Sequence, residues 1–161
     1  MALVLTMGLG ACSTPPAHHP SGEPWDPYET RNRDIHEFNK DVDRYAFRPI
    51  AKGYSAAVPD DIETFVGRFS DTLSLPGSIV NSLLQLDMRG AGADTARFVI
   101  NATFGLGGVF DAATEMGLPP ARDTDFGETL HVWDVSEGAY VELPFFGPST
   151  ERDTVGLVVD F

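Results

Sequence analysis

The stretch Asp60–Gln85 reads DDIETFVGRFSDTLSLPGSIVNSLLQ, and it sets the fold class. Asp60 followed by Glu63 fits a capping box, in which a side-chain acceptor and a returning carboxylate satisfy the free N–H groups of a first helical turn. Behind it Ile62, Phe65, Val66, Phe69 and Leu73 recur at the spacing that places side chains on one face of an α-helix. Pro76-Gly77 is expected to punctuate the run, after which Ile79, Val80, Leu83 and Leu84 make a second compact apolar face. Asn81 and Gln85 share a face of that segment, so they pair with each other, meet a neighbouring backbone, or stay at the surface.

The same helical spacing extends in both directions. Upstream, Ile35, Phe38, Val42 and Tyr45 line one face while Arg33, Glu37, Lys40, Asp41 and Arg44 occupy the rest. Arg48-Pro49 is expected to end or kink that helix, because proline lacks an N–H and its ring crowds the preceding turn. A short segment through Ile50, Tyr54 and Val58 then reaches Pro59. Downstream, the small-residue stretch Gly90 to Arg97 is expected to be helical from Gly92 onward, and it leads into the uncharged run Phe98 to Phe110. The glycines at 105, 107 and 108 weaken a continuous helix there by roughly 1 kcal/mol each. The run suits either a buried helix ending in a close-packed turn or a re-entrant or interfacial segment shielded by protein. After Pro119-Pro120 the long periods stop. Irregular packing is expected, with one short extended piece at Tyr140 to Leu143. The run Val155, Leu157, Val158, Val159, Phe161 is apolar to the last residue, from which the natural chain is expected to continue.

The start of the chain carries a different signal. Ala2 to Ala11 is uncharged and built around Leu3, Val4, Leu5, Met7 and Leu9, the composition of the apolar core of an export leader. At about 1.5 Å per residue such a segment falls far short of a hydrocarbon layer of roughly 30 Å. It ends in Leu9-Gly10-Ala11-Cys12-Ser13, which resembles the lipobox of bacterial lipoproteins, with small residues that fit a protease cleft and a thiol to receive the lipid. No Lys or Arg precedes it, so translation is expected to begin upstream. Residues 1–11 thus read as signal peptide, Cys12 as the lipidated residue, 12–24 as a flexible tether rich in proline and small polar residues, and 25–161 as one helical domain.

Composition excludes several roles. Asp and Glu number 24 against 11 Lys and Arg, a balance that lacks the cations needed to neutralise a polyanion, so nucleic acid is not a partner. Cys12 is the only cysteine, which leaves no internal disulfide or multi-cysteine metal site. The neighbouring His18 and His19 have no third ligand at metal spacing, and His36 and His131 stand in separate segments. The cluster Gly105-Leu106-Gly107-Gly108 is not followed by Gly-Lys-Ser/Thr and lacks a dinucleotide fingerprint. Neither a catalytic set nor a cofactor nor a metal is expected. Arg97, Arg122 and Arg152 either form structural pairs with Asp94, Asp123 and Asp153 or approach lipid phosphates.

Taken in order, a set of short words runs along the chain. These are Asp26-Pro27-Tyr28-Glu29, Asn32-Arg33, Phe38-Asn39, Asp43, Arg48-Pro49 and Tyr54; then Pro76, Asn81, Leu84-Gln85, Arg97-Phe98, Asn101-Ala102-Thr103 and Gly105 to Gly108 before Asp111; and finally Phe126-Gly127, Gly138-Ala139-Tyr140, Leu143-Pro144, Gly147 to Thr150 and Arg152-Asp153. With the lipobox in front, the chain resembles the MlaA/VacJ family of outer-membrane lipoproteins across nearly all of its mature part. The departures are the stop at Phe161 and the His131-Val132-Trp133 stretch, where relatives are richer in glycine.

The resemblance implies a mostly α-helical, flat, ring-like arrangement of amphipathic helices lying in the membrane interface, here truncated at its C-terminus. It implies attachment at the periplasmic face and inner leaflet of the outer membrane. Its partners would be phospholipids, an outer-membrane porin trimer and a periplasmic lipid-carrier protein. The implied role is removal of mislocated phospholipids from the outer leaflet and retrograde delivery to the carrier, which maintains lipid asymmetry without covalent chemistry. The alternative is a structural envelope lipoprotein or porin-associated scaffold that moves no lipid.

Overall fold

The computed structural model describes residues 12–17, 19 and 23–160. The expected leader, His18 and Phe161 lie outside the described residues. Two compact units are present, one made of the chain up to Ile50 together with the chain from Phe126 onward, the other of Ala51–Asp125. Most described residues are helical, as the periodicities predict.

In the Ala51–Asp125 unit, α3 (Asp60–Leu84) packs along α4 (Met88–Thr103), and a single turn, α5 (Ala112–Glu115), closes the corner beyond. The expected break at Pro76-Gly77 does not occur, and α3 runs through both residues as one helix. A proline inside a helix costs about 3 kcal/mol locally. Packing overrides it, because the α3 face beside α4 is continuous across Pro76, with Thr72, Leu75, Ser78, Asn81 and Ser82 all buried. The expected capping box is absent too. Pro59 is the N-cap and makes no side-chain cap bond, while Asp60 already lies in the helix. A side-chain cap does form at the start of α4. Asp87 Oδ1 accepts the Gly90 N–H at 3.0 Å, so this helix starts at Met88 and not at Gly92.

The glycine-rich run ends α4 in a close-packed turn, the first of its two expected readings. A Cβ on Gly105 would lie 2.2 Å from the Phe110 carbonyl, and one on Gly108, at φ +100°, would lie 2.5 Å from the Thr72 side chain. Side-chain-free backbone is therefore what lets this turn fold back against α3.

In the other unit, α1 (Glu29–Val42) is followed by a π-helical turn, Asp43–Phe47, and then by α2 (Arg48–Ala57), which continues into the Ala51–Asp125 unit. The wide turn explains why Arg48-Pro49 does not end the helix. The Arg48 N–H donates to the Asp43 carbonyl, five residues back, so the backbone opens where the proline ring would otherwise crowd it.

The segment from Phe126 onward is more regular than expected. α6 (Phe126–Val132) packs on α7 (Glu151–Asp160), and between them β1 (Tyr140–Leu143) and β2 (Gly147–Thr150) form an antiparallel hairpin with Tyr140 opposite Thr150 and Leu143 opposite Gly147. The extended piece at 140–143 lies where the sequence places it. α1 lies against β1.

Replacing Gly108 by alanine is expected to destabilise the protein by roughly 2 kcal/mol, from strain at positive φ and the encounter with Thr72. Gly53→Ala in α2, where a Cβ meets nothing within 4 Å, is expected to be neutral or mildly stabilising. Thermal melts of the two variants in one detergent check this, and equal melting shifts would contradict it.

Candidate functional site

The faces of α3 and α4 are inverted relative to a water-soluble helix pair. α4 buries Ala91, Asp94, Arg97 and Asn101 against the Thr72-to-Ser82 face of α3. The apolar stripe read from the sequence points outward instead. Phe69 and Leu73 on α3, and Leu83 at its end, are exposed. The same is true of Leu86 at 80 %, Phe104 at 70 % and Leu106 at 71 %. Phe65 is half-buried and meets the edge of Phe110 at a ring-centroid distance of 5.5 Å. Many exposed large apolar side chains over a polar interior mark contact with something other than water.

The polar interior is organised by Arg97, which is 6 % exposed. Its Nη1 donates to Asp111 Oδ1 at 2.8 Å, its Nη2 to Thr114 Oγ1 at 3.0 Å and to the Pro119 carbonyl at 2.8 Å, and its Nε to the same carbonyl at 3.2 Å. Asn101 adds a donation to Asp111 at 3.1 Å and accepts the Ala113 N–H at 2.9 Å. Burial pushes the Asp111 carboxyl up, but hydrogen bonds from Thr114 and Asn101 and the Arg97 charge outweigh it and hold the group at about 2. Beside this cluster lies a cavity of about 350 Å³ whose lining includes Arg68, Asp71, Thr72, Ser78, Arg97 and Asp111.

The arginines read as candidates are structural, with partners partly different from those expected. Arg97 pairs with Asp111 and not Asp94, whose Oδ1 accepts the Arg122 backbone N–H at 3.1 Å. The Arg122 side chain pairs with Asp87. Arg152 meets Asp153 at 3.0 Å, as expected, and also Glu137 at 3.7 Å. Gln85 donates to Thr124 Oγ1 at 2.7 Å, and Asn81 is buried.

The other unit has its own polar centre, which the sequence reading missed. Glu142 on β1 is 2 % exposed, accepts the Tyr140 hydroxyl, and takes bonds from Asn39 at 3.2 Å and His36 at 3.3 Å. Burial pushes its carboxyl up, yet these donors hold it below the usual range, while the carboxylate pushes the Tyr140 hydroxyl up to about 12. Asn32 accepts the Glu142 N–H at 2.9 Å and donates to the Tyr140 carbonyl at 3.1 Å; Asn39 accepts the Phe145 N–H at 2.8 Å and donates to the Leu143 carbonyl at 2.9 Å. The detectable signal was two amides on the α1 face that also carries Ile35 and Val42, where burial is expected.

Cys12 is half-buried with a free thiol. His19 bonds the Glu23 carbonyl at 2.9 Å, and among the described residues no group of three or more His, Cys, Asp or Glu could hold a metal ion. Among the same residues no helix is long and apolar enough to cross a membrane.

A family model described as MlaA lipoprotein matches residues 24–161. An uncharacterized protein of Rickettsia prowazekii is 39 % identical over 137 residues, covering 85 % of this chain and 54 % of the relative. The intermembrane phospholipid transport system lipoprotein MlaA of Haemophilus influenzae is 35 % identical over 161 residues, covering 99 % of this chain and 64 % of the relative. That of Escherichia coli is 37 % identical over 139 residues, covering 84 % and 55 %. The chain therefore spans about half to two thirds of the length of these relatives. A solved structure from work described as "Structural basis for maintenance of bacterial outer membrane lipid asymmetry" aligns with a TM-score of 0.76 at 36 % identity, over 84 % of this chain and 69 % of that one.

Asp111→Asn is expected to lower stability at neutral pH. Because folding depresses this carboxyl from 3.8 to about 2, its contribution is whole above pH 4 and is lost as pH falls through 2. The stability gap between wild type and variant should therefore close over that window in urea titrations. A gap that stays constant there would contradict the assignment.

Proposed function

The chain belongs to the MlaA lipoprotein family, and from that premise we propose that it is part of an outer-membrane lipoprotein that withdraws mislocated phospholipids from the outer leaflet. In this reading Cys12 carries the acyl chains at the periplasmic face, and the helices lie in the inner leaflet. The lipid passes on to a periplasmic carrier protein, in company with a porin trimer.

The observation that carries the reading is the inverted pair α3 and α4. Outward Phe69, Leu73, Leu83, Phe104 and Leu106 match acyl chains, each large side chain contributing about 1.5–3 kcal/mol when removed from water. The polar cavity beside Arg97 and Asp111 offers donors and acceptors to a headgroup, which lowers the cost of taking it out of water. Movement then follows a gradient of environment, and no bond is made or broken. An acidic surface gives no electrostatic pull toward anionic lipid, so acyl chains and apolar faces must do the holding.

Deleting the full-length gene is expected to raise phospholipid in the outer leaflet and sensitivity to detergent, with rescue by the full-length gene and weaker rescue when Arg68 and Asp71, which line the cavity, are replaced by alanine. Surface labelling of phospholipid reads this. An unchanged outer leaflet in the deletion strain would remove the proposal, and full rescue by the cavity variants would favour a porin-associated scaffold. The anchor is tested separately: the N-terminal peptide of the processed protein should carry the acyl mass on Cys12, and Cys12→Ser should abolish it.

A further inference from the structure

Residues 12–24 have the composition of a loose tether, yet the structure seats the first of them. Ser13 donates its backbone N–H and its hydroxyl to the same atom, Glu151 Oε2, at 2.6 and 2.7 Å. Two donors on one carboxylate oxygen form charge-assisted bonds, stronger than neutral ones. Glu151 is itself held in place at the start of α7, because its N–H donates to the Ala139 carbonyl at 3.0 Å and the next N–H, of Arg152, donates to Glu137 at 3.1 Å. The loop 137–139 is thereby laid across the first turn of the helix.

Gly138 sits between these bonds at φ +76°, and a Cβ there would lie 2.4 Å from Glu151 Oε2, 2.9 Å from Glu151 Cβ and 3.1 Å from Cys12 Cβ. The missing side chain is the space that Cys12 and the carboxylate occupy. The far end of the segment is also fixed. Tyr140 donates its N–H to the Trp25 carbonyl at 2.8 Å, and Asn32 donates to Asp26 Oδ1 at 2.7 Å.

We propose that Gly138 and Glu151 form a seat for the Cys12–Ser13 step, and that this seat fixes where the acyl chains leave the protein. The proposal rests on the reading that Cys12 is acylated. A free Gly/Ser-like chain of the length of residues 13–24 would let the anchor wander by about 20 Å; two pinned ends remove most of that freedom. Ser13 suits the seat because it is small and brings a hydroxyl donor, whereas an acidic side chain there would face the Glu151 carboxylate. Ser13 in turn holds the Glu151 carboxyl below its usual range. Burial and the nearby Glu151 carboxylate push the Cys12 thiol up.

The test is amide hydrogen exchange, read by mass spectrometry, on the full-length acylated protein in detergent. The Ser13 amide should exchange at least about 10-fold more slowly than in an unstructured peptide, reach the unstructured rate in Glu151→Ala, and keep part of its protection in Glu151→Gln, whose amide oxygen still accepts. The Glu142 amide in β1 should stay protected in each variant. Free-chain exchange at Ser13 in the wild type, or undiminished protection in Glu151→Ala, overturns the seat. Should Glu151→Ala also lose protection at Glu142, the fold has gone and Ser13→Ala decides. It keeps the N–H but loses the hydroxyl, so protection should fall at least about threefold, and unchanged exchange overturns the seat. The acyl mass on the same peptide is read independently, so an unmodified Cys12 defeats the anchor reading without touching the exchange result.

Discussion

A charged group turned inward on α4 has to find its partners inside the protein, because little water reaches it there. That constraint explains Arg97. A buried guanidinium left unpaired would cost several kcal/mol, and here Nε, Nη1 and Nη2 all reach acceptors on the segment 111–119. The cation therefore does more than neutralise Asp111, since it ties a loop with little regular structure to α4. Asn101, one helical turn further on, repeats the arrangement on a smaller scale by bonding both Asp111 and the Ala113 backbone. An apolar core would not leave a polar cavity beside Thr72 and Ser78.

The other unit meets the same constraint with amides. A two-stranded hairpin is marginal alone, and β1 has β2 on one side only. Asn32 and Asn39 stand in for a further strand on the other side, each offering one acceptor and one donor to the β1 backbone or its turn. Glu142 sits between them and takes the remaining donors of that face, Tyr140, Asn39 and His36. Helix and hairpin are joined through hydrogen bonds whose geometry is specific. Phe38, Tyr45 and Phe47, meanwhile, stay exposed.

Helical periodicity made the fold class legible, along with α1, most of α3 and the strand at 140–143. It could not tell which side of a helix faces in. The pattern Phe69, Leu73, Leu83 is the same whether the apolar stripe meets a protein core or an acyl chain; what distinguishes the two is the burial of the opposite face, with Thr72, Ser78 and Ser82, which periodicity does not report. The break expected at Pro76 failed because a local cost of a few kcal/mol is smaller than the gain from continuous packing along α4. The structural alternative for Arg97 paired it with Asp94, three residues away on its own helix. Its true partner, Asp111, lies across a turn whose path depends on Gly105 and Gly108, and spacing within a helix carries no information about that. The Cys12–Ser13 seat was illegible for a like reason, since its halves stand 138 residues apart.

The two features are connected by energetics. None of the described helices is long and apolar enough to span a bilayer, so nothing in them fixes depth or orientation as a spanning segment would. Outward phenylalanines and leucines hold a protein at an interface, but a surface of that kind can slide and tilt. An acyl chain alone has the complementary weakness: it binds through about 0.8 kcal/mol per buried CH₂ and, on a free linker, says little about how the body lies. On the proposed seat, a short, hydrogen-bonded step between the acyl chains and the unit that carries Glu151 removes the freedom of the linker. In this reading Glu151 and Gly138 matter less for the strength of attachment than for its geometry, because they set where the acyl chains leave the unit that carries them.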